Sequence, residues 1–331
     1  MSKLIYKTIC FLIMKTSILV GGQAVIEGVM MRVPGAYATA LRLKNGKIIS
    51  KKHTFDSVIK KNHWKNTLFL RGVFHLYESM KIGYKTLDWS ASVYEEQQNE
   101  SFSTNNNKWQ KIYDYLGNIF AILFAVSLFI LLPLFITTYF VNDVNQTISF
   151  NIISGFTRIL IFITYLLLIS RLKDVKRLFQ YHGAEHKTVY NFESGKDLNY
   201  NEAQKFSTKH PRCGTSFIFI IMLVTIFSYT VLDSILLLFI NQLTIPIRFI
   251  SHIICLPLVA GFGYEVLKFL ASKQHIGFFK ALSKPGLWLQ SITTKEPDKS
   301  QIEVAIFALK EAFGKKLEEY SGKQYKADSI G

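Results

Sequence analysis

Three side chains that can bind or activate a metal occur at helical spacing in the middle of the chain. His182, Glu185 and His186 form a His-x-x-Glu-His pattern, which places two imidazoles and a carboxylate on one face if the segment is helical. Imidazole nitrogens and carboxylate oxygens are ligands for divalent metals. The pattern therefore predicts a metal site on this helix face, although a solvated polar helix face would have the same spacing.

A second pair of metal-ligating residues follows at His210 and Cys213. Cys213 lies just before a long apolar run, so we expect a membrane span to fix its position. Thiolate and imidazole ligands together suit zinc. We therefore predict a divalent metal, zinc by preference, bound by His182, His186, His210 and Cys213.

The order His-x-x-Glu-His is similar to the inverzincin pattern, in which both histidines bind zinc and the glutamate acts as a general base. By this analogy a bound metal acidifies a water molecule, and Glu185 takes its proton. Glu185 is therefore the predicted catalytic residue, unless it is itself a ligand. Four protein ligands would instead indicate a structural site, because catalytic zinc sites keep one position for water.

Three further polar residues outside the apolar runs are candidates for lining the site. Glu27 and Arg32 belong to a glycine- and methionine-rich segment, where glycines allow the backbone to approach a ligand closely. An ordinary turn is the alternative for that segment. Glu193 is either a further ligand or a surface acid.

Two ionisable residues of interest, His252 and Glu265, lie within an apolar run. Such residues are costly inside a membrane and usually functional. At about 1.5 Å per residue they lie roughly 20 Å apart on a continuous helix, so they cannot share one site. Glu265 is expected at the level of Cys213 and is the candidate site residue, with an ion pair to Lys268 as the alternative.

The elements that must position these residues are membrane helices. The chain has 331 residues, 49% of them hydrophobic, and a formal charge of +16. Residues 119–140 carry no formal charge, and a helix of this length crosses the roughly 30 Å hydrocarbon core of a bilayer. The sequence predicts a mainly α polytopic membrane protein with a small cytoplasmic α+β N-terminal region. The four predicted spans are residues 119–140, 152–170, 216–240 and 245–271.

The basic residues orient these spans. Residues 141–151 and 241–244 contain no Lys or Arg, whereas residues 171–215 contain nine. Because basic loops stay in the cytoplasm, both termini and the His-rich loop are predicted to be cytoplasmic. The remaining positive charge suits contact with anionic membrane lipids. No nucleic-acid-binding signature accompanies the charge, so nucleic acid is not an expected partner.

Two local patterns predict the structure of the soluble parts. Asn45-Gly46 between residues 38–43 and 47–53 predicts a β-hairpin with a type I′ turn. Apolar residues recur at helical spacing from Leu70 to Ala91, which predicts an amphipathic helix lying on the membrane or on the bundle. Near the end, Ser300-x-x-Glu303 predicts a capping box.

The chain accordingly divides into five parts by composition and pattern. The first part is expected to lie outside the fold. The methionine at position 14 also suggests that the start codon is misassigned. The predicted parts are residues 1–16 outside the fold, 17–95 with the hairpin and amphipathic helix, 96–118 as a polar linker, 119–271 as the four-span bundle with its cytoplasmic loop 171–215, and 272–331 as a cytoplasmic helical tail.

Several motifs together resemble the YqhQ-like family of bacterial membrane proteins, whose domain has no known function and is commonly labelled a metal-dependent enzyme. The resemblance extends from Ser17 to Phe313 and implies a location in the bacterial cytoplasmic membrane and a bound metal. It implies no particular substrate. The matching segments are residues 21–32, 71–72, 182–187, 210–216, 264–265, 285–290 and 303–305.

Two classes of function follow from these observations. The first is a membrane-embedded, metal-dependent hydrolase that acts at the cytoplasmic face on a lipid-linked or membrane-protein substrate. The second is a non-catalytic scaffold or transporter-like protein in which the metal is structural. An open coordination position favours the first class, and four His/Cys ligands favour the second. Neither the substrate nor the oligomeric state is indicated by the sequence.

Overall fold

The computed structural model describes residues 18, 20–57, 59, 66–98, 108–141, 146–273, 277–282 and 284–325 of the protein. Within these ranges a small β-sheet precedes a series of helices, four of which are long and apolar enough to cross a membrane. This agrees with the predicted mainly α fold with a small α+β N-terminal region. The predictions for residues 1–16, and for residues 99–107 of the polar linker, fall outside the described residues.

Four antiparallel strands form the sheet in the order β1-β2-β3-β4. The predicted hairpin is formed by β3 and β4, and it is extended by two strands from the glycine-rich segment. Because β2 and β3 each bury nearly all of their residues, they form the centre of the N-terminal core. The strands are β1 Gly21–Val25, β2 Gly28–Val33, β3 Ala36–Arg42 and β4 Ile48–Thr54.

The turn between β3 and β4 differs from the predicted type I′ turn. A type I′ turn needs positive φ at both central residues, but Gly46 has φ 83° whereas Asn45 does not have positive φ. The amide of Leu43 donates to the carbonyl of Lys47 at 2.9 Å, and that of Gly46 donates to Leu43 at 2.9 Å. This is a three-residue loop with a left-handed glycine at its end, so the type I′ prediction is wrong.

The predicted amphipathic helix is α1, Leu70–Gln98. It packs against β1 and against a later apolar helix. Its apolar residues Tyr77, Met80 and Tyr84 are 60%, 66% and 69% exposed. The buried face therefore holds small and polar residues, and the apolar face points away from the protein.

The remaining helices follow in chain order and include long apolar helices and shorter, more polar ones. A π-helical turn, Ser127–Leu131, joins the first two of them into one rod. They are α2 Lys108–Val126, α3 Leu132–Thr137, α4 Thr147–Ile169, α5 Lys173–Glu193, α6 Tyr200–Ala203, α7 Gly214–Leu236, α8 Ile245–Ser272, α9 Gly277–Leu282, α10 Lys284–Thr293, α11 Lys299–Phe313 and α12 Leu317–Tyr320.

The four candidate spans coincide with the predicted apolar runs to within a few residues. They are Tyr115–Thr137, Thr147–Ile169, Ile218–Leu236 and Ile245–Leu270. The first is not a regular α-helix throughout, because the π-helical turn precedes Pro133. Proline lacks an amide hydrogen and its ring crowds the preceding turn, and a π-bulge relieves both effects.

The helical tail packs on the sheet as the apolar pattern predicts. Ile302, Ile306 and Leu309 on one face of α11 are all buried, and α11 lies against β2, β3 and α5. The start of α11 differs from the prediction, since the capping box is formed by Asp298 and Gln301. Glu303 instead pairs with Arg42 of β3 at 3.0 Å, so the assignment to Ser300 and Glu303 is wrong.

Candidate metal centre

His182, His186 and Cys213 come together where α5 passes the start of α7. One ligand atom from each lies within 4.8 Å of the other two. The rings of the two histidines meet edge to face with centroids 4.5 Å apart. His182 Nε2 lies 3.3 Å from Cys213 Sγ. The structure therefore assembles three of the four predicted ligands, and the binding of a metal to them stays a prediction.

Helix α5 holds its histidines inside the protein rather than on a solvated face. Its residues from Tyr181 onward are mostly buried, with Glu185 6% and His186 2% exposed. The reason is that β1 and α11 both pack against this helix. The alternative of an exposed polar face therefore does not describe this segment.

Backbone carbonyl groups fix the orientation of both imidazoles. His182 Nδ1 lies 2.9 Å from the carbonyl oxygen of Thr293, and His186 Nδ1 lies 2.5 Å from that of Thr208. A carbonyl oxygen can only accept a hydrogen bond, so each Nδ1 carries the proton. Each Nε2 is then the basic nitrogen, and this is the arrangement typical of histidine ligands in metal sites.

The Nε2 atom of His186 is buried and makes no hydrogen bond among the described residues. Burial lowers the pKa of His186, although the nearby Cys213 thiol and the bond to Thr208 act in the opposite direction. The imidazole therefore stays neutral near pH 7, which is the form that binds a metal. The buried Nε2 of His186 and the nearby thiol of Cys213 are therefore chemically suited to bind a divalent cation.

Cys213 precedes the first residue of α7 and has an extended backbone, with φ −65° and ψ 137°. Its thiol also contacts the hydroxyl of Thr215 at 3.1 Å. The position expected from the sequence, at the boundary of an apolar helix, is confirmed.

His210 is placed beside the cluster but with both ring nitrogens engaged. Nδ1 accepts from the amide of Arg212 at 3.3 Å, so Nε2 carries the proton that faces Glu193 at 3.3 Å. Gln290 binds the backbone amide and carbonyl of His210, both at 2.8 Å. Burial lowers the pKa of His210 to about 4. In this arrangement His210 packs beside the ring of His186 and is not one of the three grouped residues.

Glu193 forms a buried ion pair with Arg212 in addition to its contact with His210. Arg212 also donates to the carbonyl oxygens of Ile18 and Val20, at 3.3 and 3.4 Å. Glu193 is thus neither a surface acid nor a member of the three-residue cluster. It anchors the segment after α6 and the segment before β1 to the end of α5.

The carboxylate of Glu185 points from α5 toward β1. The backbone amide of Gly22 donates to it, and burial raises its pKa, with His182 and His210 acting in the opposite direction. A side chain at position 22 would not fit, because a Cβ atom there would lie 2.2 Å from the carbonyl oxygen of Met30 and 3.2 Å from Glu185 Cδ. The close approach of β1 to the site therefore requires glycine.

The connection between α10 and α11 crosses the cluster on its other side. The amide of Lys295 donates to the carbonyl oxygen of Phe179 at 2.9 Å. A Cβ atom at Gly183 would lie 2.1 Å from the carbonyl oxygen of Lys295. Because residue 183 is glycine, the chain that follows α10 can pass close to α5. This places the carbonyl group of Thr293, the last residue of α10, beside the imidazole of His182.

Glu27 and Arg32, the candidates from the glycine-rich segment, lie apart from the three-residue cluster. Glu27 has φ 55° in the turn between β1 and β2 and pairs with Arg177, whose Nη2 lies 2.6 Å from Oε2. Arg32 lies over the ring of Phe55 at 4.3 Å. The segment does approach the site, but through the Gly22 amide.

The two ionisable residues of the apolar run, His252 and Glu265, lie toward opposite ends of α8, as predicted. Glu265 pairs with Arg71 of α1, with Nε 2.6 Å from Oε1, so the main partner is not Lys268. His252 lies in a separate buried cluster, where its Nε2 is 3.0 Å from Oδ1 of Asp233. Neither residue joins the candidate metal centre.

Sequence patterns could not identify the groups that orient the histidines. Thr208 and Thr293 act through backbone carbonyls, which carry no side-chain signal. Gln290 and Gly22 belong to the segments that carry the family resemblance, and this was the only signal that marked them. Their roles depend on contacts between distant parts of the chain, for example 111 positions between His182 and Thr293.

Known proteins place the chain in a family. It matches the family model "Protein of unknown function (DUF1385)" over residues 68–315. It is 32% identical over 303 residues to "Uncharacterized protein YqhQ" of Bacillus subtilis (strain 168), an alignment that covers 88% of this chain and 91% of that protein. No solved structure matches the chain. The chain belongs to the DUF1385 family, which confirms the resemblance to YqhQ-like proteins.

Proposed function

We propose that this member of the DUF1385 family is a bacterial inner-membrane protein that binds a divalent metal, zinc by preference, through His182, His186 and Cys213. The observation that supports this most strongly is the orientation of the two imidazoles. Both Nδ1 atoms face backbone carbonyls, and one ring nitrogen of each histidine belongs with the thiol sulfur to one tight group. Three protein ligands leave one position for water, as in catalytic zinc sites.

Within this proposal Glu185 is the general base. Its carboxylate is not one of the three grouped ligand atoms, and burial raises its pKa. A raised pKa makes a carboxylate a better proton acceptor near neutral pH. When bound, the metal would acidify a water molecule. The chain would supply the oriented ligands, the proton acceptor and an enclosed site, and the class of reaction is hydrolysis.

The membrane placement rests on the four long apolar helices and on the distribution of basic residues. The candidate metal centre lies next to the start of α7, so its substrate would be reached at the cytoplasmic face. A lipid-linked molecule or a membrane protein would present its scissile bond at this level. A reporter fused after Lys196 should report the cytoplasm, and one fused after Asn145 should report the opposite side. Identical reports would reject this topology.

Metal content is the first test of the centre. Purified wild-type protein should contain about one zinc ion per chain by elemental analysis, and His186→Ala should contain almost none. His53→Ala, on β4 and outside the cluster, is the matched control and should retain the ion. Full zinc content in His186→Ala would reject the site.

Glu185→Gln separates a catalytic centre from a structural one. Glutamine keeps the shape but cannot accept the proton, so zinc should persist while complementation of a deletion strain is lost, general-base catalysis being worth about 10²–10⁴-fold. If zinc is lost together with complementation, Glu185 is a ligand. If both persist, the scaffold or transporter-like function with a structural metal takes the place of the hydrolase.

A further inference from the structure

A cavity of about 330 Å³ lies between the first, second and third apolar helices. Its walls are almost entirely apolar, and Phe129 packs edge to face against Phe162 and Tyr165, at 6.3 and 5.4 Å between ring centroids. Tyr165 is 36% exposed, so one wall of the cavity borders the outer surface of the bundle. A volume of this size is at the lower end of small-molecule sites.

One charged side chain, Arg158, lines this apolar cavity. Its Nε atom is buried and makes no hydrogen bond within the part of the chain that the structure describes. Its guanidinium lies 5.7 Å from the ring centroid of Tyr229. None of the ion pairs between described residues neutralises it.

Asp233, an acid of the neighbouring helix α7, is already engaged elsewhere. Asp233 forms an ion pair with Arg248, accepts from Asn151 Nδ2 at 2.7 Å and contacts His252 Nε2 at 3.0 Å. Arg158 therefore adds a positive charge that has no ion-pair partner among the described residues. A charged side chain in the middle of a membrane helix is costly unless a partner compensates it.

The depth of Arg158 restricts what that partner can be. It lies about 16 Å from the start of α4, near the middle of a span of roughly 34 Å. A phosphodiester lipid carries a permanent charge, which is costly to bring to the depth of Arg158. Its two acyl chains are also too large for the cavity. A carboxylic acid can lose its charge by protonation and so reach the middle of a bilayer at a moderate cost.

We propose that this cavity binds a single-chain fatty acid, with its carboxyl group on the guanidinium of Arg158 and its chain among Phe129, Phe162 and Met222. A guanidinium binds a carboxylate through two parallel hydrogen bonds, which the apolar surroundings strengthen. This assignment rests on the membrane placement of the proposed function, but not on the metal. It gives the bundle a lipid ligand distinct from the cytoplasmic centre.

Binding of radiolabelled palmitate to the full-length protein in phosphatidylcholine nanodiscs tests the assignment. Wild type should bind about one palmitate per chain, and hexadecanol should bind at least about tenfold more weakly, because charge-assisted hydrogen bonds are lost. Arg158→Met should weaken palmitate binding at least about tenfold. Arg171→Met, an exposed arginine after the same helix, is the matched control and should bind as wild type.

Thermal unfolding in the same discs shows whether a variant has simply lost its fold. Without palmitate, Arg158→Met should unfold at a higher temperature than wild type, because an uncompensated charge is removed. Palmitate should raise the unfolding temperature of wild type and leave that of Arg158→Met unchanged.

Three results would overturn the assignment: equal palmitate binding by wild type and Arg158→Met, equal binding of hexadecanol and palmitate, or displacement of palmitate by phosphatidylglycerol added to the discs. His186→Ala should lose zinc and keep palmitate binding. The fatty-acid site and the metal site can therefore fail independently of each other.

Discussion

The protein contains two buried histidine clusters that differ in how their hydrogen-bonding capacity is used. At the cluster before α7, His182 and His186 each use Nδ1 on a backbone carbonyl, and one ring nitrogen of each lies within 4.8 Å of the thiol sulfur of Cys213. At the cluster between the apolar helices, His252 uses Nε2 on Asp233, which also holds Arg248. The first cluster groups three possible metal ligands, and the second pairs opposite charges.

This difference separates a group of side chains that can take a ligand from one that is complete. A metal needs several basic atoms directed at one position. An ion-pair network instead uses its acceptors on its own donors, and its role is to join helices. Asp233 on α7 accordingly contacts α8 through Arg248 and His252 and contacts α4 through Asn151. Buried histidine alone therefore does not indicate a metal site.

The largest expected effect is on the cluster between the apolar helices. Asp233→Ala leaves the fully buried guanidinium of Arg248 without its carboxylate, which typically costs about 3–5 kcal/mol. The free energy of unfolding, measured in detergent or bilayer, should fall by that amount while zinc content per folded chain stays unchanged. A loss of zinc from folded Asp233→Ala protein would break the separation of the two clusters.

The next effect concerns the ligands themselves. Cys213→Ala removes one of three proposed ligands, and the zinc dissociation constant should rise more than about 100-fold, because loss of an outer-shell partner alone costs 10–100-fold. Cys255 of α8 is the matched free cysteine, and Cys255→Ala should bind zinc as wild type does. Equal weakening by both substitutions would contradict the assignment of Cys213.

Acid should destabilise the metal-free protein through His210, which lies beside the proposed metal ligands. Its pKa is about 4 in the folded protein and about 6.5 when unfolded, so the unfolded chain binds the proton first as the pH falls. Stability from this residue is complete above pH 6.5 and declines toward pH 4, by about 2 kcal/mol at pH 5.

Unfolding of the metal-free protein at pH 7 and pH 5 measures this decline. The His210→Gln variant cannot be protonated at this position, so its loss of stability between the two pH values should be smaller by about the same 2 kcal/mol. Equal losses in wild type and variant would show that other groups control the acid sensitivity.

The smallest expected loss of stability comes from a substitution outside both clusters. Asp298→Ala removes the side chain that accepts from the amide of Gln301 at the start of α11, and loss of such a cap costs about 1 kcal/mol. Unfolding should shift by this amount with zinc content and membrane topology unchanged. Ser300→Ala should have little effect on stability, since Ser300 is not the capping residue.

Short-range patterns predicted the elements of the fold well. The spacing of Ile302, Ile306 and Leu309 predicted the buried face of α11 correctly, and apolar runs located all four candidate membrane spans. The cap was misplaced because two overlapping signatures, Asp298 with Gln301 and Ser300 with Glu303, satisfy the same local rule. The choice between them involves Arg42, a residue far away in the sequence that pairs with Glu303.

The grouping of His182, His186 and Cys213 could be predicted from the sequence, but the contacts that hold them in place could not. The i, i+4 spacing of His182 and His186 and the position of Cys213 before an apolar run were sufficient to group them. The pairing of His210 with Glu193 and Gln290 could not be predicted, because the sequence does not show whether the ring nitrogens of a histidine are already hydrogen-bonded. The pairing of Arg71 with Glu265 likewise spans 194 positions.

The carbonyl of Thr293 that holds His182 has a consequence for biosynthesis. It lies 111 positions after that histidine, so at roughly 5–20 residues per second the ribosome adds it about 6 to 20 s later. The three proposed ligands are made earlier, but the orientation of His182 is fixed only when the tail has been translated. Newly made chains therefore contain all three proposed ligands before the carbonyl group that orients His182 has been synthesised.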